Sequence, residues 1–269
     1  MAGLTPERPP LLEIRNLQAG YGRRTVLKDV SFGAEAGMLT ALLGANGCGK
    51  TTLLKVLCRR LPYTGICTLE GKPLETISRR ALARQVSYIP QRSGVGISLP
   101  VLEVVLMGFN PVLGLLQRPS RAQKRRAREA LAAVGLEAYA EEDYQRLSEG
   151  QKQLVILART MAEDARLLLL DEPESALDFF HRHQMMRLLS GMVTGSGKGG
   201  LVTLHDPALA LEYCQRLVLL RDGVCLSVLH PASDSVSHME QALGSIYGPV
   251  RLKPLEDHGK RRLVMLPGD

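Results

Sequence analysis

The sequence predicts an α/β fold in which a parallel-sheet core carries a phosphate-binding loop, with an antiparallel β subdomain and an inserted α-helical subdomain beside it. Three observations predict it. The apolar residues 38–43 run straight into Gly44-Ala45-Asn46-Gly47-Cys48-Gly49-Lys50-Thr51-Thr52, a glycine-rich turn that opens a helix. Buried-type strands at residues 166–170 and 201–204 alternate with helical patterns, which implies parallel strands joined by crossovers. From about residue 92 to residue 145 the character turns helical, interrupted by Gly and Pro, and no comparable strand run occurs.

Residues 11–17 and 26–32 read as strands from their alternating and β-branched content, and residues 33–37 as the turn before the glycine loop. Residues 66–69, followed by Glu70-Gly71-Lys72, read as another strand with its turn. A Ser120-x-x-Gln123 capping box opens a helix in which Ala127, Ala130, Leu131 and Val134 recur at helical spacing, with Gly135 as its stop. Leu154, Leu157, Ala158 and Met161 mark a further helix, and about residues 179–192 another. Arg221-Asp222-Gly223, between the apolar runs 217–220 and 224–229, is a hairpin signal. Beyond Pro231 the pattern weakens and predicts no element. Residues 11–229 are therefore expected to form one domain, with about 92–157 as the inserted helical subdomain and 230–269 as a C-terminal extension.

The 269 residues, 45% of them hydrophobic, suffice for one large core. No run reaches the roughly 20 uninterrupted apolar residues of a membrane-spanning helix, since residues 101–116 are broken by Glu103, Asn110 and Pro111. The first ten residues carry prolines and charges where a secretion signal has an apolar stretch. Five cysteines without a C-x-x-C pair read as free thiols of a reducing cytosol. The net charge of +7 suits nucleotides, an anionic membrane surface or nucleic acid alike. Its densest cluster, Arg118, Arg121, Lys124, Arg125, Arg126 and Arg128, reads as a solvated helix face. With no Trp and four Phe, stacking on single strands is disfavoured, and no nucleic-acid partner is expected.

The chemistry starts at the glycine loop, which matches the pattern G-x-x-x-x-G-K-[ST]. Its glycines turn successive N–H groups inward, and the helix beginning near Lys50 adds the positive end of its dipole, so polyphosphate is the natural occupant. Lys50 reaches the β and γ phosphates of a nucleoside triphosphate and Thr51 ligates Mg²⁺. Downstream, Leu167-Leu168-Leu169-Leu170-Asp171-Glu172 reads as a central strand delivering two acids to the same edge. Asp171 is expected to hold Mg²⁺ through its water shell, and Glu172 to polarise an attacking water. Cys48, at a helix N-terminus, is expected to have a lowered thiol pKa and to be blocked by alkylation unless nucleotide protects it. His181 and His183, two residues apart on a helix, face opposite sides and are expected to be solvated.

Between these motifs, Leu147-Ser148-Glu149-Gly150-Gln151 resembles the L-S-G-G-Q signature of the ATP-binding cassette (ABC) ATPases. Tyr21 matches the aromatic that stacks on adenine, Gln91 after residues 86–89 the Q-loop glutamine, Ser175-Ala176-Leu177-Asp178 the D-loop, and His205 the switch histidine. The resemblance implies the ABC ATPase fold and ATP hydrolysis with Glu172, His205, Gln91 and Lys50 in catalysis. It places Tyr21, Gly44, Asn46, Gly47, Cys48, Gly49, Lys50, Thr51 and Thr52 around ATP, and Thr51, Gln91 and Asp171 around Mg²⁺. Ser148, Gly150, Gln151 and Asp178 would meet the ATP of a second copy, stacked head to tail. Ser148 and Gln151 form a capping box at a helix N-terminus, an anion site without a phosphate loop of its own. Glu149 departs from the usual glycine, and its side chain is expected to point outward.

The stretch Leu99-Pro100-Val101-x-x-Val104-x-x-Met107-Gly108 is similar to importers of iron-siderophores, haem and cobalamin. Its Leu and Val positions would line a groove for a permease's coupling helix, or else form an internal helix. The resemblance thus implies a peripheral subunit at the cytoplasmic face of the cell membrane, held by integral permease subunits and served indirectly by an extracytoplasmic substrate-binding protein. Its task would be uptake of a metal chelate. A molybdate or other oxyanion importer, an exporter subunit and a soluble non-transport ABC ATPase are the alternatives.

Overall fold

Short apolar runs bounded by turn residues bury both faces as parallel strands, whereas half-buried alternating runs pair antiparallel. The computed structural model describes residues 10–91, 96, 98–114, 117–175, 177–257 and 259–268. In chain order these form β1 (Leu12–Tyr21), β2 (Arg24–Ala34), β3 (Leu39–Leu43), α1 (Lys50–Leu57), β4 (Tyr63–Leu69), β5 (Lys72–Pro73), α2 (Arg79–Gln85) and β6 (Val86–Ile89). Next come α3 (Val101–Leu106), α4 (Arg121–Ala133), α5 (Glu149–Glu163), β7 (Leu167–Asp171), α6 (Phe179–Val193), β8 (Gly199–Thr203), α7 (Pro207–Tyr213), β9 (Arg216–Arg221) and β10 (Val224–Leu229). The chain continues as α8 (Val236–Tyr247), β11 (Val250–Asp257) and β12 (Lys260–Pro267).

One curled sheet runs β5-β4-β1-β2-β10-β9-β3-β8-β7-β6. Its β9-β3-β8-β7-β6 half is parallel, and β3, β7 and β8 are buried at every position. The β4-β1-β2 part is antiparallel and alternates between buried and exposed positions. The first strand extends to Tyr21, beyond the expected end at residue 17. Gly20 explains the difference, because a Cβ there would lie 2.0 Å from the Arg24 carbonyl oxygen. A glycine is needed where β1 and β2 turn back closely on each other.

The inserted segment contributes α3, α4 and most of α5, and residues 92–95, 97, 115 and 116 lie outside the described set. Both capping boxes form: Ser120 with Gln123 opens α4, and Ser148 with Gln151 opens α5. The basic face of α4 is exposed, with Arg126 3.3 Å from Asp164 and Arg128 2.8 Å from Glu141. The Val101, Val104, Val105 and Leu106 side chains are all buried in the larger core cluster. This corrects the groove expected of them: the apolar spacing serves the interior of the helical lobe, and Glu103 is what α3 exposes.

The C-terminal segment, where the sequence predicted no element, supplies α8 and the β11–β12 hairpin. Ser235 caps α8 by accepting the His238 N–H, and Met239 and Leu243 are fully buried in the same cluster as Leu204, Leu217 and Leu219. Arg221 at the end of β9 donates to the Ser245 carbonyl at 3.1 Å. Leu243→Ala is therefore expected to cost about 2–5 kcal/mol, read as a lower urea midpoint at unchanged m-value. A midpoint equal to the parent's would show that the core does not need α8.

Candidate functional site

The turn after β3 is shaped by glycines at positive φ: 155° at Gly44, 79° at Gly47 and 114° at Gly49. At Gly44 the requirement is also steric, since a Cβ would fall 2.2 Å from the Leu220 carbonyl oxygen of β9. The loop then delivers Lys50 as the first residue of α1. Lys50 is only 5% exposed, and its ammonium donates to the Gly44 carbonyl at 2.7 Å and the Ala45 carbonyl at 3.4 Å. No carboxylate neutralises it among the described residues. A cavity of about 120 Å³ opens over this point, lined by Asn46, Gly47, Gly49, Lys50, Thr51, Thr52 and Glu172. Its shape and charge suit phosphate.

The two acids arrive from β7 and differ in surroundings. Asp171 is buried and accepts from the Thr51 hydroxyl at 3.1 Å, the Thr203 hydroxyl at 2.9 Å and the Tyr88 hydroxyl at 3.5 Å. Glu172 sits at φ 48°, a left-handed conformation uncommon for a residue with a side chain. That turn is held by its N–H, which donates to the Thr203 hydroxyl at 2.8 Å. One carboxylate oxygen of Glu172 lies 2.6 Å from His205 Nε2, and the other accepts from the Gln91 side-chain amide. Gln153 of α5 in turn donates to the Gln91 carbonyl at 3.4 Å. The structure therefore brings Lys50, Thr51, Asp171, Glu172, Gln91 and His205 to one edge of the sheet. A carboxylate gripped by an imidazole and an amide, facing a phosphate cavity, can take a proton from water.

Thr203 was missed by sequence reasoning. The signal was its place at the end of an apolar strand, two residues before His205, where a hydroxyl needs partners.

Thr51 and Asp171 offer hard oxygen donors side by side, the donor type that Mg²⁺ takes together with substrate phosphates. Gln91 is held by Glu172 instead. Among the described residues, no cluster of three or more His, Cys, Asp or Glu side chains could hold a metal ion.

Other expected positions fall elsewhere. Tyr21 is 45% exposed at the end of β1, with the Lys55 ammonium 5.6 Å from its ring centroid. Ser148 accepts the Gln151 N–H at 3.2 Å, and Gln151 accepts the Ser148 N–H at 3.0 Å. Neither they nor Gly150 bond to the phosphate loop among the described residues. The Glu149 side chain is 75% exposed and lies 2.8 Å from Lys152, pointing outward. Asp178 caps α6 by accepting the His181 N–H at 2.9 Å, while Ala176 lies outside the described residues.

Two expectations are corrected. Burial pushes the Cys48 thiol above its usual pKa, overriding the pull of Lys50 and of the backbone N–H groups, so the helix terminus does not activate it. The thiol is enclosed against Gly44. His183 is not solvated: it bonds to the Tyr213 hydroxyl at 2.9 Å and lies 3.6 Å from Glu212. Its side chain points inward because α6 packs against α7.

The ABC transporter family model matches residues 27–175. A hemin import ATP-binding protein of Jannaschia sp. (strain CCS1) is 37% identical over 230 residues, covering 82% of this chain and 83% of its own. A zinc transport system ATP-binding protein of Treponema pallidum (strain Nichols) is 36% identical, covering 87% and 86%. A petrobactin import ATP-binding protein of Bacillus anthracis is 34% identical, covering 78% of each chain. Among solved structures, a chain from a metal-chelate type ABC transporter in an inward-facing conformation superposes with a TM-score of 0.80 at 24% identity, covering 96% of this chain and 97% of its own. That likeness concerns the fold alone. Matched by the family over more than half its length and by individual members over most of it, the chain belongs to the ABC transporter family as an ATP-binding, ATP-hydrolysing subunit.

Proposed function

We propose that this chain powers uptake of a metal chelate, of the iron-siderophore, haem or cobalamin class, by hydrolysing ATP at a separate membrane permease. The observation that carries the hydrolytic part is the Glu172 carboxylate, fixed between His205 and Gln91 at the mouth of the Lys50 cavity. The cargo class rests on the hemin and petrobactin importers among its relatives. A metal-ion importer is the second reading, favoured by the zinc transport relative at 36% identity.

In this reading Lys50 turns its ammonium from the Gly44 and Ala45 carbonyls towards the β and γ phosphates. Thr51 and Asp171 would hold Mg²⁺, which would supply positive charge against that of the phosphates. Glu172 orients and deprotonates the attacking water, while His205 and Gln91 hold its two oxygens and so fix the direction of the free lone pairs. Ser148 and the N-terminus of α5 present an anion site to the nucleotide of a second copy, which Asp178 and its loop adjoin. Two copies stacked head to tail would then close on ATP, and the permease would take up the motion as a rigid-body shift. The chain would sit peripherally at the cytoplasmic face, with a capture protein outside.

Glu172→Gln is expected to retain ATP affinity while kcat falls by about 10²–10⁴; rapid turnover by this variant would move the base elsewhere. Lys50→Ala is expected to weaken nucleotide binding itself by about 10- to 100-fold, measured by fluorescent-nucleotide titration, and unchanged affinity would remove Lys50 from the phosphates. A strain lacking the gene should lose growth on hemin or siderophore iron and keep zinc uptake, whereas the reverse pattern would favour the metal-ion reading.

A further inference from the structure

Thr203, the last residue of β8, is fully buried. Burial alone argues nothing for a threonine, since Thr40 of β3 is equally buried and its hydroxyl has no partner among the described residues. At Thr203 the hydroxyl makes two bonds at once. It donates to Asp171 Oδ1 at 2.9 Å and accepts the Glu172 N–H at 2.8 Å. The same Asp171 oxygen takes the Thr51 hydroxyl at 3.1 Å. One unbroken line of hydrogen bonds therefore runs from the Glu172 peptide, through Thr203, to the acid beside the phosphate loop.

We propose that Thr203 is a positioning residue that aims the Glu172 carboxylate, and that its hydroxyl rather than its shape serves hydrolysis. The proposal rests on the reading of Glu172 as the base. Glu172 stands at φ 48°, a conformation that a residue with a side chain leaves unless bonds hold it. On one side of its turn the Ser175 N–H donates to the Glu172 carbonyl at 3.2 Å. On the other, the Thr203 hydroxyl holds the Glu172 N–H. At the far end of the side chain, His205 Nε2 lies 2.6 Å from the carboxylate. The end of β8 thus grips Glu172 at its backbone and, two residues on, at its tip. With the tip alone held, the peptide rotates towards ordinary φ and carries the free lone pairs away from the Lys50 cavity.

The charge of Asp171 strengthens this grip. A carboxylate polarises the hydroxyl that donates to it, and the oxygen of a polarised hydroxyl is the better acceptor for the next N–H in the line. Valine, branched at the same carbon, would suit a buried strand at no polar cost. It would fill the place of Thr203 and yet leave the Glu172 N–H without this partner and Asp171 Oδ1 with one donor fewer. Serine keeps the hydroxyl and gives up only a methyl group.

The test compares the parent chain with Thr203→Val, Thr203→Ser, Glu172→Gln and the double variant Thr203→Val with Glu172→Gln, by ATP turnover at fixed Mg²⁺ and by fluorescent-nucleotide titration. Thr203→Val is expected to lower kcat about tenfold, with nucleotide affinity within about twofold of the parent. Thr203→Ser is expected to stay within about threefold of the parent in both. Once Glu172→Gln has removed the base there is nothing left to aim, so adding Thr203→Val should change the residual single-turnover rate by less than about twofold. Thr203→Ala, which lacks the hydroxyl without placing a methyl group against Asp171, is to behave as Thr203→Val, so the outcome does not hang on the folding of one variant. A threonine that served structure alone would lower the thermal midpoint of Thr203→Val and leave kcat, read well below that midpoint, at the parent's value. That result would overturn the proposal, as would a loss that serine does not restore, a fall in affinity equal to the fall in kcat, or a further loss of about tenfold in the double variant. If Glu172→Gln hydrolyses normally, the underlying reading fails. If that variant is inactive while Thr203→Val turns over as the parent, only the present inference fails.

Discussion

Because β3, β8 and β7 lie side by side in register, with Leu42 beside Thr203 and Thr203 beside Asp171, the chain leaves all three strands at one level of the sheet. The phosphate loop begins at the residue after β3, Asp171 ends β7 with Glu172 next, and His205 lies two residues past β8. A slip of one residue would turn every side chain of the displaced strand to its other face. Thr203 guards against that slip, because its hydroxyl donates to Asp171 at 2.9 Å and accepts the Glu172 N–H at 2.8 Å. Only one alignment of β7 and β8 satisfies both bonds.

The same alignment explains the electrostatics. Lys50 is removed from water with carbonyls alone as partners among the described residues, a state whose cost is several kcal/mol for an uncompensated ion. Such an ammonium has most to gain from an arriving anion. The acids are kept from spoiling that attraction by the company they keep: Asp171 is surrounded by hydroxyls, and Glu172 by an imidazole and an amide. Glu172 also adopts a left-handed backbone, a strain of about 1–3 kcal/mol that surrounding bonds must sustain. The hydroxyl of Thr203 sustains it at the backbone and His205 at the side chain.

Much of this was legible in the sequence, and the failures have physical causes. The glycine loop, the acids after the leucine run and the capping boxes were readable because each uses a local pattern whose geometry follows from adjacent residues. The strand Val86–Ile89 and the hairpin partner Val224–Leu229 were readable for the same reason. The end of β1 was placed too early because its last residues, 19–21, are held by pairing across the hairpin with β2 rather than by an alternating pattern of their own. Cys48 misled because a helix terminus and burial pull a thiol in opposite directions, and sequence reports only the first. The α3 valines misled because a helix shows the same spacing whether its face meets the interior or a partner. The α8 signal was present and passed over: Ser235 as cap, Val236, Met239, Leu243 and Ile246 at helical spacing, and Gly248 as stop.

The C-terminal segment also bears on the site, through helices rather than through contact with the loop. Arg262 of β12 lies 3.1 Å from Glu212 of α7, which lies 3.6 Å from His183 of α6, and His183 bonds to Tyr213 of α7. The N-terminal ends of those two helices are capped by Asp178 and Asp206, the latter immediately after His205. A cap fixes the first turn of a helix, and the network fixes the body behind it. The segments that precede α6 and α7 thus lead into anchored helices. Asp178 is itself one of these caps, and His205 immediately precedes the other.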